Sequence, residues 1–231
     1  MSAKPAADPA ARGALLALAY LAFISLGLPD GLIGVGWPSI RAEFGVPADA
    51  LGLVIVVGIA GYLTSSVAAG FTIARLGVGW LLAASTALVG AALTGYATAP
   101  GLGLMVASAL FAGLGSGAID AGLNAYAAAN FGARHMNWMH ASFGFGATLG
   151  PLVMTTVLAT GLAWRWGYGI VAAAQALLAV AFVLTARAWA PRGKAAGDPA
   201  GGAMGAGGAV PAGGAVGAGG AVGAGGVVGA G

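Results

Sequence analysis

Hydrophobic residues dominate this chain in six long runs, each close to or above the ~20 residues that a helix needs to cross the hydrocarbon core of a bilayer. The runs cover residues 13–37, 51–74, 80–97, 102–127, 141–162 and 166–189. Polar residues and helix breakers fall in the gaps. Pro47 and Asp49 follow the first run, then come Arg75 and Gly77, Pro100 and Gly101, Gly132, Arg134 and His135, and finally the short Ala163, Trp164 and Arg165. The pattern predicts an all-α transmembrane fold of six helices.

Lys4 and Arg12 precede the first run, as they would in a secretory signal. No small-residue cleavage site follows it and five further runs do, so it reads as the first span. With the N-terminus in the cytoplasm, Lys4, Arg12, Arg75, Arg134, Arg187, Arg192 and Lys194 lie inside and only Arg41 and Arg165 outside. That split satisfies the positive-inside rule. The six tryptophans, Trp37, Trp80, Trp138, Trp164, Trp166 and Trp189, all fall at or near the ends of runs. Amphipathic rings favour the headgroup level, which predicts an aromatic belt there.

Composition makes the membrane class firm. Of 231 residues, 59% are hydrophobic and only 6% charged, where a soluble domain carries roughly 25% charged residues. So few charges cannot cover a soluble surface. The net charge of +3 is spread singly between apolar runs, without the basic patch that a nucleic-acid partner requires. Cysteine is absent, which removes disulfides, thiolate metal sites and thiol nucleophiles.

From residue 201 a six-residue unit such as GGAVGA repeats five times. It has no charge, no aromatic ring and little side-chain volume, which predicts a flexible, disordered tail. The expected organisation is a cytoplasmic segment at 1–12, a transmembrane bundle at 13–190 and a Gly/Ala-rich cytoplasmic tail at 191–231. A glycine-packed helix, an assembly segment or the product of a frameshift are alternatives for the tail.

Two carboxylates lie inside the spans, Asp30 and Asp120. A charge at such depth costs several kcal/mol and marks a cavity, a partner or a pathway. Asp30 follows Pro29 among Gly27, Gly31, Gly34 and Gly36, which predicts a bent or locally unwound helix beside a cavity; solvation at the outer interface is the alternative. Ser116, Asp120 and Asn124 recur at four-residue spacing and share one helix face. Beside them Gly113, Gly117 and Ala121 make a small-residue stripe for close helix packing. The alternative for Asp120 is a structural hydrogen-bond network. A carboxyl group in a low-dielectric site can exchange protons near neutral pH, as a proton-coupled carrier needs.

Tyr20 and Tyr62 lie well inside their spans, where a phenol can contact a solute or simply pack. His140 opens the fifth run as a proton relay or an interfacial histidine. Gly146 and Gly150 form a GxxxG pair before Pro151, a weak packing signal. Asn137 and Gln175 are polar but undiagnostic. No Walker loop, metal-ligand cluster or Ser/His/Asp arrangement is present, so neither enzymatic chemistry nor a cofactor or metal is expected.

The stretch Gly115, Ser116, Gly117, Ala118, Ile119, Asp120, Ala121, Gly122, Leu123, Asn124 resembles the fourth-helix signature of the fucose permease branch of the major facilitator superfamily. The second span agrees through Gly61, Tyr62 and Gly70 before Arg75, Leu76 and Gly77. The first is similar in Asp30 followed by Pro38, Ile40 and Phe44. The fifth is similar in Asn137, His140, Phe143 and Gly146, although that branch often has Gln where His140 stands.

The resemblance covers residues 14–190. It implies the N-terminal six-helix bundle of a fold in which two such bundles rock about a central site near the midplane. It places Asp30 and Asp120 at proton-linked and sugar-contacting positions; Asn124, Tyr62, Tyr20, Ser116 and His140, polar residues of the spans, are the candidate solute contacts beside them. In the loop after the second span, Ala74, Val78 and Gly79 stand where the superfamily carries an acid and basic residues, which weakens that gating contact. After Trp189 the chain passes through Arg192 and Lys194 to the glycine repeat, where the family's fold leads to a seventh helix.

The leading expectation is a proton-coupled secondary transporter of a small solute such as a sugar, multi-pass in the cell membrane. Its partners would be the solute, protons, the lipid bilayer, and either a second copy or a missing C-terminal half. The alternatives are a drug or metabolite efflux carrier of the same superfamily, or a truncated membrane protein that does not transport.

Overall fold

A computed structural model describes residues 9–190 of the chain. The expectations for 1–8 and for the tail at 191–231, including Lys4, Arg192 and Lys194, lie outside the described residues. Six α-helices follow one another: α1 (Pro9–Phe44), α2 (Ala50–Leu76), α3 (Val78–Thr98), α4 (Leu102–Asn130), α5 (Ala133–Ala159) and α6 (Arg165–Thr185), with a 3-10 turn at Ala186–Trp189. All six are long and apolar enough to cross a membrane, and the described residues contain no strand.

Helix ends depart from the apolar runs where the hydrogen-bond ladder outlasts the apolar sequence. The helix α1 carries on through Arg41 to Phe44, and α5 starts at Ala133, eight residues before its apolar run. Hydropathy locates the slab that lipid covers, whereas helix ends are set by breakers and caps. Between α2 and α3 a single residue, Gly77 at φ 76°, turns the chain, a conformation that glycine adopts without steric cost.

Of the bend or local unwinding expected at Pro29, the unwinding does not occur: α1 is helical throughout, with Pro29 and Pro38 inside it. Proline at 29 has no N–H to donate to the Ser25 carbonyl one turn back. Gln175 of α6 supplies the missing donor, its Nε2 reaching the Ser25 oxygen at 3.3 Å. A side chain that looked undiagnostic in the sequence therefore completes the backbone of another helix.

Helices pair closely where glycine lets backbones meet. A Cβ on Gly146 would run into the Ile24 carbonyl, one on Gly150 into Leu28, and one on Gly27 into Phe143, so α5 and α1 form one seam. A Cβ on Gly113 would strike the Gly58 carbonyl and one on Gly117 the Tyr62 carbonyl, which makes a second seam between α4 and α2. Both are the small-residue packing used where no hydrophobic effect pulls helices together. Helix α3 packs against both α4 and α6, with Gly115 of α4 against Ser85 and Val89. The pairings α1 with α5 and α4 with α2 exchange under the correspondence of α1–α3 with α4–α6, which is the signature of an internal three-helix repeat.

The tryptophan belt is only half realised. Trp80, Trp138 and Trp166 are exposed, but Trp37, Trp164 and Trp189 are buried in protein. Their indoles donate to the Ala48 carbonyl at 3.0 Å, to Glu43 Oε2 at 2.6 Å and to Thr185 Oγ1 at 3.2 Å. Position near the end of an apolar run does not distinguish an interfacial ring from one that locks a helix end.

Three helix ends meet around Arg165. Its guanidinium donates to the Ala97 and Ala99 carbonyls at 3.2 and 2.8 Å and pairs with Glu43. A cation at the carbonyl end of α3 interacts favourably with the helix dipole, and the same group ties α1 to the start of α6.

Candidate functional site

A cavity of about 380 Å³ opens among the helices. Helix α1 contributes Leu26, Pro29, Asp30 and Ile33; α2 contributes Gly58, Ile59 and Tyr62; α4 contributes Gly113, Ser116 and Asp120. Phe143, Tyr96 and Tyr168 reach it from α5, α3 and α6. The close glycine seams place α1, α2 and α4 so that the residues beside the glycines, Asp30, Tyr62 and Asp120, face one space.

Asp120 is the organised group. Tyr62 of α2 donates its hydroxyl to Oδ2 at 2.7 Å, and Asn124, one turn along α4, donates Nδ2 to Oδ1 at 3.0 Å. Each oxygen keeps a further lone pair for another donor. Behind Tyr62, Ser66 Oγ donates to the Gly117 carbonyl at 3.3 Å, so the α2–α4 seam that carries the bond is itself pinned. Asp30 is exposed to the open cavity, without a hydrogen-bond partner among the described residues.

The lining is strongly one-sided in charge. It holds two carboxyl groups and no Lys, Arg or His. Hydroxyls of Ser116, Tyr62, Tyr96 and Tyr168 form the rest of its polar character; the rings of Tyr96 and Tyr168 lie with centroids 5.1 Å apart, and Phe143 adds a further ring to the lining. Such a space offers acceptors and ring faces to a solute.

The structure brings together Asp30, Tyr62, Ser116 and Asp120, with Asn124 bonded to Asp120. Two other candidates stand apart from the cavity. Tyr20 bonds to His135 Nδ1 at 2.8 Å toward the end of α1 where the chain begins. His140 is exposed and meets Phe23 edge-on at 5.5 Å. Neither lines the cavity, because the helical rotation at 20 and at 140 turns each side chain toward the α1–α5 contact. Phe143 entered only through the fifth-helix resemblance, and for Tyr96 and Tyr168 an aromatic inside an apolar run is the only signal the sequence gives.

The sequence model of the Major Facilitator Superfamily matches residues 19–212. The chain belongs to this superfamily. Among curated proteins, none matches the sequence. As a member, it is a multi-pass protein of a membrane-transporter family, and the cavity lies where α1, α2, α4 and α5 converge. Helix α2 packs chiefly on α4, and its Leu63 and Val67 are 57% and 87% exposed.

Proposed function

We propose that this superfamily member is a proton-coupled secondary carrier of a small solute, with Asp120 as its proton-linked group and Asp30 as a second acid in the same path. One observation carries the reading: a carboxylate inside the spans accepts a hydrogen bond from a neighbouring helix while facing a solute-sized cavity. A protonated carboxyl must use one oxygen as a donor. Loading Asp120 with a proton weakens it as an acceptor for Tyr62 and Asn124 and removes its charge from the space it shares with Asp30 on α1. That is how occupancy by a proton would bias one conformation over another.

The solute we favour is a sugar, on the fourth-helix resemblance, with hydroxyls meeting Asp30 and Asp120 and a ring face on Tyr62. Efflux of an amphiphilic cation is the second reading, favoured by the aromatic lining without basic groups. The wall facing α2 and α5 would come from a second copy or from a C-terminal bundle. We further propose that the protein lies in the cell membrane with its N-terminus on the cytoplasmic side. In support, Arg12, Arg75, Arg134 and Arg187 lie toward one end of the described bundle, and only Arg41 and Arg165 toward the other.

The test is uptake into proteoliposomes under an imposed proton gradient, with labelled fucose and with tetraphenylphosphonium as competing probes. Asp120→Asn is expected to abolish gradient-driven accumulation while the protein stays folded by circular dichroism. Unchanged pH dependence of uptake in Asp120→Asn refutes the assignment. Folded wild-type protein that moves neither probe under any gradient favours a membrane protein that does not transport.

A further inference from the structure

A second crevice lies away from the central cavity, at the ends of three helices. Its volume is about 320 Å³, and it is lined by Arg12, Gly13 and Leu16 at the start of α1 and by Asn130, Phe131, Gly132 and His135 at the corner between α4 and α5. We propose that this crevice binds a phosphate group, presented by an anionic phospholipid of the surrounding leaflet.

Charge is the first argument. Two basic side chains more than 120 positions apart in the chain, Arg12 and His135, face one crevice, and no acid among the described residues lines it. Arg12 makes no ion pair or hydrogen bond among the described residues. The exposed Arg134 stands next to His135 and adds to the local field. The four described acids, Asp30, Glu43, Asp49 and Asp120, are all elsewhere: Asp30 and Asp120 at the central cavity, Glu43 and Asp49 around the loop between α1 and α2.

Preorganisation is the second. His135 is held by the hydrogen bond between Tyr20 Oη and its Nδ1 and by the Phe131 ring, whose centroid is 6.2 Å away. That leaves Nε2 as its uncommitted nitrogen. Asn130 is fixed by its own bond to the Tyr126 carbonyl at 2.9 Å. Room for the ligand exists at both glycines, since a Cβ on Gly13 or Gly132 would meet nothing within 4 Å. An anion can therefore approach the backbone at Gly132, where α5 begins without an acidic residue in its first turn.

Depth is the third argument, and it selects the source. Arg12 immediately precedes the first apolar run, while α4 ends at Asn130 and α5 begins at Ala133. The crevice thus sits at the start of the apolar run of α1 and outside those of α4 and α5, with Leu16 one turn deeper along α1 than Arg12, in the layer of lipid headgroups. Under the orientation proposed above, this is the leaflet that carries anionic lipid.

The full-length protein is titrated in nanodiscs of phosphatidylcholine containing increasing phosphatidylglycerol, and separately in phosphatidylcholine alone with inorganic phosphate. Bound lipid is counted by native mass spectrometry, and tryptophan fluorescence reports phosphate. Arg12→Gln removes an exposed cation that has no partner among the described residues and is not expected to disturb folding. Arg187→Gln removes the same charge from the same membrane face outside the crevice. Both variants lose the general attraction of one cation for an anionic surface, about five-fold. Arg12→Gln also loses its direct contact with the phosphate, so it is expected to weaken phosphatidylglycerol retention several-fold more than Arg187→Gln. Arg12-dependent binding of inorganic phosphate with no preference for phosphatidylglycerol supports the phosphate site and overturns its lipid source. Equal losses in the two variants, or none in Arg12→Gln, overturn the proposal.

Discussion

Gln175 and Pro29 make a prediction that can be worked from the bonds alone. Proline at 29 leaves the Ser25 carbonyl without its helical donor, and Gln175 Nε2 meets that carbonyl from α6. Gln175→Met keeps the side-chain length and removes the donor. Interhelical hydrogen bonds inside membranes average about 0.6 kcal/mol and reach about 1.7 kcal/mol. A carbonyl left unsatisfied in a buried site costs about 1–3 kcal/mol. The single substitution should therefore destabilise the bundle by about 1–2 kcal/mol. Pro29→Ala returns a backbone N–H four residues after Ser25, so the carbonyl no longer depends on α6. In that background Gln175→Met should cost close to nothing beyond its packing change. Gln175 also carries a buried amide oxygen without a partner, and replacing it removes that penalty. This contribution, like the packing change, is the same in both backgrounds and cancels in the double-mutant cycle. The assay is equilibrium unfolding in mixed micelles, followed by far-ultraviolet circular dichroism at increasing SDS fraction. A coupling energy of about 1 kcal/mol is expected. If Gln175→Met costs the same with proline and with alanine at 29, the amide is not replacing the missing backbone donor and the reasoning fails.

Two further outcomes test the packing. Gly146→Ala should lower stability by about 1–3 kcal/mol, because its methyl meets the Ile24 carbonyl, whereas Gly144→Ala on the same helix, in open space, should be neutral or mildly stabilising; equal midpoints in thermal unfolding would contradict the seam. Around Arg165, Glu43→Gln should cost less than about 1 kcal/mol, since the pair is 29% and 45% exposed. Arg165→Gln should cost about 1–3 kcal/mol by abandoning two carbonyls as well, and the order of the two midpoints checks this.

The spans were legible because bilayer thickness imposes their length, and the glycine spacing and the row Ser116, Asp120, Asn124 were legible because helical periodicity turns spacing into faces. Pairing between helices was not. Tyr62 could be marked as a polar ring inside a span, but nothing local says that its hydroxyl reaches Asp120 on α4. Tyr20, marked by the same rule, turns instead to His135. Gln175 is unreadable without Ser25, 150 positions away. Trp37, Trp164 and Trp189 show the same gap: an indole near a span end satisfies its N–H equally well at a headgroup or on a helix terminus, and only the fold decides which. Glu43 drew no attention because its partners, Trp164 and Arg165, lie beyond four intervening helices.

The glycine seams have a mechanical consequence. Carbonyls of Ile24 and Leu28 on one side, and of Gly58 and Tyr62 on the other, occupy the volume that a side chain would take. Sliding either pair along its axis by one residue would drive a bulky neighbour into that oxygen, so each seam acts as a detent that fixes register. The pair of α1 with α5 and the pair of α2 with α4 each behave as one stiff member. Asp30 rides on the first and Asp120 on the second. Whatever flexes this bundle must do so between the members, and the separation of the two carboxyl groups is the distance that such flexing changes most directly.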